Sequence, residues 1–326
     1  PPRSTLFPYT TLFRSGRMYL DETFSDKLET EYVAGVDENN VEQVLEDIIK
    51  SGADIVFCVG PQMMPNSLKV AVEHPEVYIL NCSLNAPHPY IRTYYGRMYE
   101  AKFLAGMIAG AVTDNERVAY IADYPIYGMI ANINAFALGV ASVNPRAKVY
   151  LAWSKTKDYD RDKFLEENDL HYVSDQDIIT PNDASRYFGL YKLQDGQALN
   201  LAMPIWNWGV FYEKLLQSVL AGSYKAEGQE QVKALNYWWG MSAGVIDLIC
   251  SKHVPYGVKR LADHLKSDIT KGEVVPFFGQ IYNQKGELKN KGEHEMKPSD
   301  IMKMDWLVDN VRSEEHTSEL QSQFRI

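Results

Sequence analysis

The sequence lacks the motifs that mark several common enzyme classes. It contains no G-x-G-x-x-G segment, no Walker A loop and no H-E-x-x-H segment, so a dinucleotide-dependent enzyme, a P-loop NTPase and a zinc hydrolase are all unsupported. Its three cysteines, Cys58, Cys82 and Cys250, are widely spaced and form neither a zinc pattern nor a disulfide framework. Cys58 lies in an apolar run, which predicts a buried side chain that behaves as a small hydrophobe. We therefore expect no cofactor, no metal ion and no catalytic residue.

Basic clusters and long apolar runs are missing as well. The formal net charge is −10 over 326 residues. An acidic chain without a basic patch argues against binding to nucleic acid or to an anionic membrane. No apolar run reaches the roughly 20 residues that a membrane-spanning helix needs. The chain is nevertheless long enough for two domains with a sizeable core.

Both ends of the chain resemble translated laboratory DNA. Residues 5–15 (TLFPYTTLFRS) and 312–322 (RSEEHTSELQS) match in-frame translations of the adapter oligonucleotides used in short-read sequencing. We therefore interpret residues 1–15 and 312–326 as non-native tails and exclude them from the fold prediction. The natural segment would then start with the end of a helix, with the first strand of its lobe missing.

Short apolar strands alternate with helices along most of the chain. Residues 28–35 alternate as a strand, and residues 54–59 form the continuous apolar run that is typical of a parallel strand covered on both faces. A helix at residues 98–112, a strand at 117–122 and a helix at 125–143 follow from the periodicity of the apolar side chains. This alternation of strands and helices predicts an α/β protein with two doubly wound, Rossmann-like lobes.

The loops that follow the predicted strands carry an unusual set of side chains. In an open α/β sheet, ligands bind at the carboxyl ends of the strands. Aromatic faces with a few hydrogen-bonding groups suit a flat heterocycle, since stacking contributes about 1–3 kcal/mol per base. The alternative is that some of these rings, Trp208 above all, pack in the core. The residues concerned are Asp123, Tyr124, Tyr127, Asn182, Asp183, Trp206, Asn207, Trp208, Trp238 and Trp239.

One segment permits a different function. Residues 240–244 (GMSAG) match G-x-S-x-G between a predicted strand and a predicted helix, which is the setting of a nucleophile elbow with Ser242 as nucleophile. No Gly-rich oxyanion loop of the HGGG type lies upstream. Small residues at a tight turn explain the match equally well. A serine hydrolase is therefore the third hypothesis for this chain.

Three segments together resemble the basic membrane protein (Bmp) family of ABC-transporter solute receptors. They are YYGRMYEAKFLAGMIAG, RVAYIADYPIYGMIANINAFALGVASVNPRAKV and MPIWNWGVFYEKLLQSVLAGSYK. The resemblance is to the purine- or nucleoside-binding members. It implies a type I periplasmic-binding fold whose two lobes close on a ligand, an ABC permease as partner, and an extracytoplasmic location. The location would be the periplasm or a cell membrane that holds the protein through an N-terminal lipid anchor, here lost.

The resemblance also implies a set of ligand contacts. Family nucleoside receptors tend to have Lys where this chain has Trp206 and an acidic residue where it has Asn81. Both departures favour a nucleobase or another flat ligand over recognition of ribose. Because the first strand and its loop would be missing, we expect impaired binding. The expected contacts are Gln62, Asp123, Tyr124, Tyr127, Asn182, Asp183, Trp206, Asn207 and Trp239.

Lobe boundaries can be placed along the same pattern. We expect residues 16–115 and about 243–278 in the first lobe, and residues 116–242 and about 279–311 in the second. The predicted function is that of an extracytoplasmic solute-binding protein of an ABC importer for a purine nucleobase or nucleoside-like compound. The alternative is a ligand-sensing domain of the same fold in a signalling or regulatory protein.

Overall fold

Helices and strands alternate through the computed structural model, which describes residues 9–84, 88–123, 128–177, 186–221 and 236–313. The helices are α1 (Tyr9–Thr23), α2 (Val41–Lys50), α3 (Met64–Glu73), α4 (Met98–Val112), α5 (Met129–Val143), α6 (Arg161–Glu167), α7 (Trp208–Leu220), α8 (Tyr256–Lys271) and α9 (Pro298–Met302). The strands are β1 (Ile55–Cys58), β2 (Tyr78–Cys82), β3 (Ile91–Gly96), β4 (Arg117–Ala122), β5 (Lys148–Trp153), β6 (Tyr172–Ser174), β7 (Leu190–Gln194), β8 (Gln197–Trp206), β9 (Asn236–Trp239), β10 (Ile246–Cys250), β11 (Gln280–Tyr282), β12 (Leu288–Lys291) and β13 (Val311–Ser313).

The chain divides into two compact units, each built from two stretches of sequence. Unit 1 comprises Pro1–Gly96 and Trp206–Val245, and unit 2 comprises Arg97–Ile205 and Ile246–Ile326. These bounds differ from the lobes expected from the sequence. Helix α4 belongs to unit 2 because it packs along α5, whereas β9 belongs to unit 1 because it pairs with β3.

Unit 1 contains a four-stranded parallel sheet in the order β1-β2-β3-β9. Helices α2 and α3 contribute to an apolar cluster with Val56 and Cys58 of β1. Helix α1 packs against α7, and Phe13 of α1 lies 4.7 Å from the ring of Trp208. Phe13 is 7% exposed, so residues on both sides of the expected junction at residue 15 share one helix.

The strand predicted at residues 28–35 does not form. Residues 28–34 have no regular secondary structure in the structure, and residues 29 and 31–35 are exposed. The alternating pattern is present, but a strand requires a neighbour to accept its backbone hydrogen bonds. No described strand pairs with this segment. The sequence prediction was wrong here because periodicity describes side chains and not pairing partners.

Unit 2 contains a seven-stranded sheet in the order β10-β8-β7-β6-β4-β5-β13. Its centre is parallel: β4 pairs with β5 over six residues and with β6 on its other side. Strand β7 then runs antiparallel to both β6 and β8. A separate antiparallel pair joins β11 to β12.

Helices α4 and α5 cross in unit 2 at backbone contact distance. A Cβ placed on Gly106 would lie 2.0 Å from the carbonyl oxygen of Phe136, and one on Gly139 would lie 2.0 Å from that of Phe103. The contact is therefore reciprocal, and only glycine fits at either position. The observed bounds of α4 equal the predicted residues 98–112.

The segment at residues 240–244 does not lead into a helix. Residues 241–243 form a single 3₁₀ turn, and β10 follows from Ile246. Gly244 has a positive φ of 73° and ends the turn. The helix expected after Ser242 was wrong, and with it the strand–turn–helix context that a nucleophile elbow requires.

Candidate functional site

Parallel pairing brings the carboxyl ends of β1, β2, β3 and β9 to one edge of the unit 1 sheet. Gln62 lies on a 3₁₀ turn (Pro61–Met63) directly after β1 and is exposed. Trp239 ends β9 and is partly exposed. Asn81 and Ser83 lie at the end of β2 and just beyond it, and both are buried. Two of the predicted contacts, Gln62 and Trp239, therefore share this edge.

Asn81 has an incomplete set of hydrogen bonds at this edge. Its Nδ2 donates to the carbonyl oxygen of Gly60 at 2.9 Å. Its Oδ1 is buried and has no hydrogen-bond partner among the described residues. A buried amide oxygen without a donor costs about 1–3 kcal/mol, so a donor that reaches it would be stabilising. Asn81 is therefore one side chain at the predicted ligand edge of unit 1 with an unused hydrogen-bond acceptor.

Asn207, which follows Trp206 at the end of β8, is joined to the turn after β9 through residues 240–245. The backbone N–H of Asn207 donates to the carbonyl oxygen of Val245 at 2.7 Å, and its Nδ2 donates to that of Gly244 at 3.0 Å. The N–H of Val245 in turn donates to the carbonyl oxygen of Gly240, next to Trp239. Asn207 thus anchors the turn after β9, while Trp206 before it stays partly exposed.

The aromatic residues of unit 1 divide into core and edge. Trp208 is 4% exposed and packs in the cluster of Phe13, Tyr94 and Phe211, so the alternative interpretation of this ring as core is confirmed. Trp239 contacts the same cluster through Phe211, with ring centroids 5.0 Å apart, yet remains partly exposed. A ring that is supported from behind and open at one face is suited to stacking on a planar ligand.

Unit 2 places a second group of polar side chains at the carboxyl ends of its central strands. Asp123 follows β4, and its Oδ1 accepts a hydrogen bond from Ser154 Oγ, which follows β5, at 2.5 Å. The hydroxyl orients one carboxylate oxygen toward β5. Four predicted contacts, Tyr124, Tyr127, Asn182 and Asp183, lie outside the described residues.

Sequence reasoning missed a buried ion pair at the same edge of unit 2. Lys102, in the middle of α4, is 1% exposed and its Nζ lies 2.6 Å from Asp177 Oδ1. It also donates to Ser174 Oγ at 3.2 Å and lies 5.0 Å from the ring centroid of Tyr120. Burial raises the pKa of Asp177, and the Lys102 ammonium opposes that shift. A lysine in a helix whose other residues, apart from Glu100, are apolar or small was the signal available in the sequence.

A second charged pair lies two residues earlier. Asp175 is 8% exposed and accepts a hydrogen bond from Tyr191 Oη at 3.1 Å, while Arg161 Nε lies 3.8 Å from its Oδ2. The Arg161 guanidinium lies 3.4 Å from the ring centroid of Tyr187. Burial raises the pKa of Asp175, against the effect of the Gln176 N–H and of Arg161. The two pairs fix the chain as it leaves β6.

Two further features of the described residues are their metal-binding groups and their thiols. Within the described ranges, no three His, Cys, Asp or Glu side chains come together as a metal site. Burial raises the pKa of the Cys58 thiol to about 11, which leaves it protonated, as the sequence predicted for a buried small residue. The described side chains at the two edges include an aromatic ring (Trp239), an amide (Asn81) and a carboxylate held by a hydrogen bond (Asp123). Such groups are typical of sites that bind small molecules reversibly.

Two curated proteins and a solved structure are similar to this chain. The chain is 26% identical over 319 residues to a purine-binding protein of Brucella abortus, a match that covers 94% of this chain and 89% of that protein. It is 30% identical over 242 residues to a Haloferax volcanii ABC transporter protein named for glucose binding, covering 70% of this chain and 60% of that protein. Among solved structures, a solute-binding protein of an ABC transporter system from Conexibacter woesei superposes with a TM-score of 0.59 at 16% identity, covering 82% of this chain and 94% of that one.

A family model for PnrA-like ABC transporter substrate-binding proteins, named Bmp, matches residues 8–185. Proteins of this class bind small molecules outside the cytoplasm and work with a membrane permease. In the part of the chain that the structure describes, no helix is long and apolar enough to cross a membrane. The two α/β units, one with a parallel sheet and one with a mixed sheet whose centre is parallel, confirm the predicted periplasmic-binding fold class. The chain belongs to the Bmp family and is an ABC transporter solute-binding protein.

Proposed function

We propose that this protein binds a purine nucleobase or a nucleoside-like ligand for uptake by an ABC importer, and that it is not an enzyme. One observation carries the proposal: the partly exposed ring of Trp239 and the unpartnered Oδ1 of Asn81 lie at the carboxyl edge of the unit 1 sheet, and the partly exposed ring of Trp206 precedes Asn207, which bonds to the turn after Trp239. The rings offer stacking faces, and the amide oxygen accepts a hydrogen bond from an N–H group. The name of the Brucella relative supports the same ligand class.

The neutral amide at Asn81 favours the base over the sugar. A carboxylate accepts hydrogen bonds from two adjacent ribose hydroxyls and binds them strongly, whereas a single amide oxygen matches one N–H donor. Adenine, guanine and hypoxanthine all carry such a donor. We therefore expect free nucleobases to bind at least as tightly as their nucleosides.

Calorimetric titration of the whole chain tests the ligand class. The panel consists of adenine, guanine, hypoxanthine, adenosine, inosine and D-glucose, the last because one relative is named for glucose binding. We expect weakened but saturable binding of at least one purine and none of glucose. Glucose binding without purine binding would overturn the ligand assignment and leave the family membership intact.

Two substitutions test the site. Trp206→Ala removes a stacking face, so we expect affinity to fall by about 1–3 kcal/mol, which is roughly 5- to 150-fold. Asp123→Ala should also weaken binding, because it removes the carboxylate that Ser154 orients. Tyr256→Ala, which removes an aromatic ring that is 77% exposed on α8, serves as the matched control and should leave affinity unchanged. Unchanged affinity in both site variants would refute the assignment.

Two further parts of the proposal have separate tests. A fluorophosphonate probe should fail to label Ser242, and labelling that Ser242→Ala abolishes would show an enzyme. Attachment to the cell membrane through a lipid is proposed from the family alone. Metabolic labelling of the protein in its native host with a radioactive fatty acid should mark it, and an unlabelled protein would exclude the anchor.

A further inference from the structure

One exposed segment of unit 2 concentrates positive charge. Residues 249–260 (ICSKHVPYGVKR) contain three cations, Lys252, Lys259 and Arg260, and no acid, although the formal net charge of the whole chain is −10. All three cations are exposed, and none of them forms an ion pair among the described residues. The same segment carries Tyr256, which is 77% exposed. We call Lys252, Tyr256, Lys259 and Arg260 the α8 patch.

A fixed turn presents the first cation of the α8 patch. The N–H of Val254 donates to the carbonyl oxygen of Ser251 at 3.3 Å, and the side chain of Val254 is buried. Lys252 therefore lies at the exposed tip of an anchored turn between β10 and α8. Because consecutive Cα atoms are about 3.8 Å apart, the Cα of Lys252 lies at most about 15 Å from that of Tyr256.

Helix α8 supplies the rest of the patch. Lys259 and Arg260 follow Tyr256 by three and four residues, so the three side chains share one side of the helix. The guanidinium carbon of Arg260 lies 6.0 Å from the ring centroid of Tyr256. Ala262 and Ile269 are buried, and α8 packs against α4. The helix is therefore held by its apolar side, and its cationic side is left to solvent.

Two acids lie near the α8 patch. Asp247 forms an ion pair with Lys266, so its charge is already compensated. Asp263 lies one helical turn beyond Lys259 and forms no ion pair among the described residues. Three cations against this one acid leave an excess of positive charge. The acidic remainder of the chain changes that excess little, because charges more than about 8 Å apart are largely screened at physiological salt.

The α8 patch and the predicted ligand edge lie at opposite edges of the unit 2 sheet. Strand β8 runs parallel to β4, since β6 is parallel to β4 and β7 is antiparallel to both β6 and β8. The N–H of Asn207 donates to the carbonyl oxygen of Val245, and the N–H of Ser251 donates to that of Leu201. Strand β10 therefore runs antiparallel to β8 and ends at the edge where β4 begins, away from Asp123.

We propose that the α8 patch binds reversibly to an anionic phospholipid surface. Each Lys or Arg near such a surface strengthens binding by about fivefold. A Tyr ring is suited to the boundary between head groups and acyl chains, and Tyr256 is free to enter it.

The shape of the patch favours a lipid surface over a peptide. A Cβ added at Gly257 would meet nothing within 4 Å, so the start of α8 projects into open space. A peptide partner docks in a groove or along a strand edge, whereas a lipid surface requires neither. The proposal is independent of purine binding, because the patch and the ligand edge are separate.

Co-sedimentation of the whole chain with lipid vesicles tests the proposal. One set of vesicles is phosphatidylcholine with about 40% phosphatidylglycerol, and the other is phosphatidylcholine alone. We expect saturable binding to the anionic vesicles and at least tenfold weaker binding to the neutral ones. Raising the salt from about 0.05 M to about 0.5 M should abolish the binding, because the attraction is screened.

Charge variants locate the binding surface. Lys252→Glu combined with Arg260→Glu should weaken binding to anionic vesicles at least tenfold, whereas Asp263→Asn removes the nearby acid and should strengthen it by up to about fivefold. The matched control is Lys155→Glu combined with Lys157→Glu. It changes the net charge equally at exposed positions after β5, at the opposite edge of the sheet, and should alter binding less than twofold.

Three outcomes would overturn the proposal: no binding to anionic vesicles, equal binding to neutral ones, or equal weakening by the control variant. A labelled decaglutamate peptide tests the other class of partner. Saturable binding of this peptide that anionic vesicles fail to displace would assign the α8 patch to an acidic protein segment, and the proposal would again be wrong.

Discussion

The two units hold the carboxyl edges of their sheets by different chemistry. In unit 1 the edge is tied by neutral amide side chains, with Asn81 bonded to Gly60 and Asn207 bonded to Gly244. In unit 2 it is tied by a buried ion pair, Lys102 with Asp177, that crosses from α4 to the end of β6. Charged hydrogen bonds are stronger, but they depend on both partners being present. Unit 2 should therefore tolerate substitution at this edge less well than unit 1.

The largest expected effect is loss of the buried cation. Lys102→Met leaves Asp177 buried without its partner, and we expect the free energy of unfolding to fall by about 3–5 kcal/mol in urea denaturation. Lys69→Met on α3 is the control from unit 1, because Lys69 forms an exposed pair with Glu42 that contributes at most about 1 kcal/mol.

A double variant separates lost charge pairing from lost packing. Lys102→Met combined with Asp177→Leu removes both charges, and we expect most of the stability to return. A double variant as unstable as Lys102→Met alone would show that packing, and not the unpaired carboxylate, accounts for the loss.

The second largest loss of stability is expected at the crossing of α4 and α5 in unit 2. Among the described helices of unit 1, no glycine lies as close to a neighbouring backbone. Gly139→Ala places a methyl group 2.0 Å from the carbonyl oxygen of Phe103, so α4 and α5 must separate. We expect a loss of about 1–3 kcal/mol in urea denaturation. Gly257→Ala on α8 meets nothing within 4 Å and should be neutral or slightly stabilising. Equal stability of the two variants would contradict the crossing.

Unit 1 should lose less when an edge amide is removed. Asn207→Ala deletes the donor to the carbonyl oxygen of Gly244, and we expect a loss of about 1 kcal/mol in urea denaturation. Asn207→Asp keeps the size of the side chain but not the donor, so it should be at least as destabilising. If either variant cost as much as Lys102→Met, the proposed difference between the two edges would be wrong.

The smallest effect depends on pH and belongs to unit 1. His74 lies between Glu76 and Glu46, at 3.2 and 3.0 Å, and hydrogen bonds with Glu76 and then Glu46 raise the pKa of His74 above its usual value of 6.5. A raised pKa adds stability that is fully present below the unfolded value and is lost as pH rises through the folded value.

We therefore expect His74→Gln to lower the urea midpoint at pH 5.5 and to leave it unchanged at pH 8.5. The effect should be small because the site is exposed to solvent. His253→Gln, at an exposed position after β10, is the control and should shift neither midpoint. A larger effect at pH 8.5 than at pH 5.5 would reverse the predicted sign.

Much of unit 2 could be predicted because its patterns are local. The apolar spacing of α4 and the buried run of β4 are contained in consecutive residues, and both elements formed at the predicted positions. The strand at residues 28–35 failed because its alternation could not reveal whether a pairing partner exists. The helix expected after Ser242 failed because β10 takes its place in the unit 2 sheet, a tertiary choice that propensity does not contain.

The candidate site was predicted in part, for similar reasons. Placement of Gln62 and Asp123 after strands, and of Trp239 at the end of one, follows from the rule for open α/β sheets. The open hydrogen bond of Asn81 and the pairing of Lys102 with Asp177 depend on which strands and helices become neighbours, since Asp177 lies 75 residues away from Lys102. Residue type and local spacing do not indicate which residues so far apart in the sequence become neighbours in the structure.

The hydrogen bonds of Asn207 have a consequence for the exchange of chain segments between related proteins. The chain enters unit 1 at Trp206 and leaves it at Val245, and Asn207 bonds to Gly244 and Val245. The two ends of this forty-residue excursion therefore meet. A segment with clamped ends behaves as a cassette, since its removal or exchange leaves two termini already positioned to be joined. Recombination between related genes would replace α7 and β9 together. Trp239, a stacking face of the proposed site, would change with them, and the rest of the sequence would stay the same.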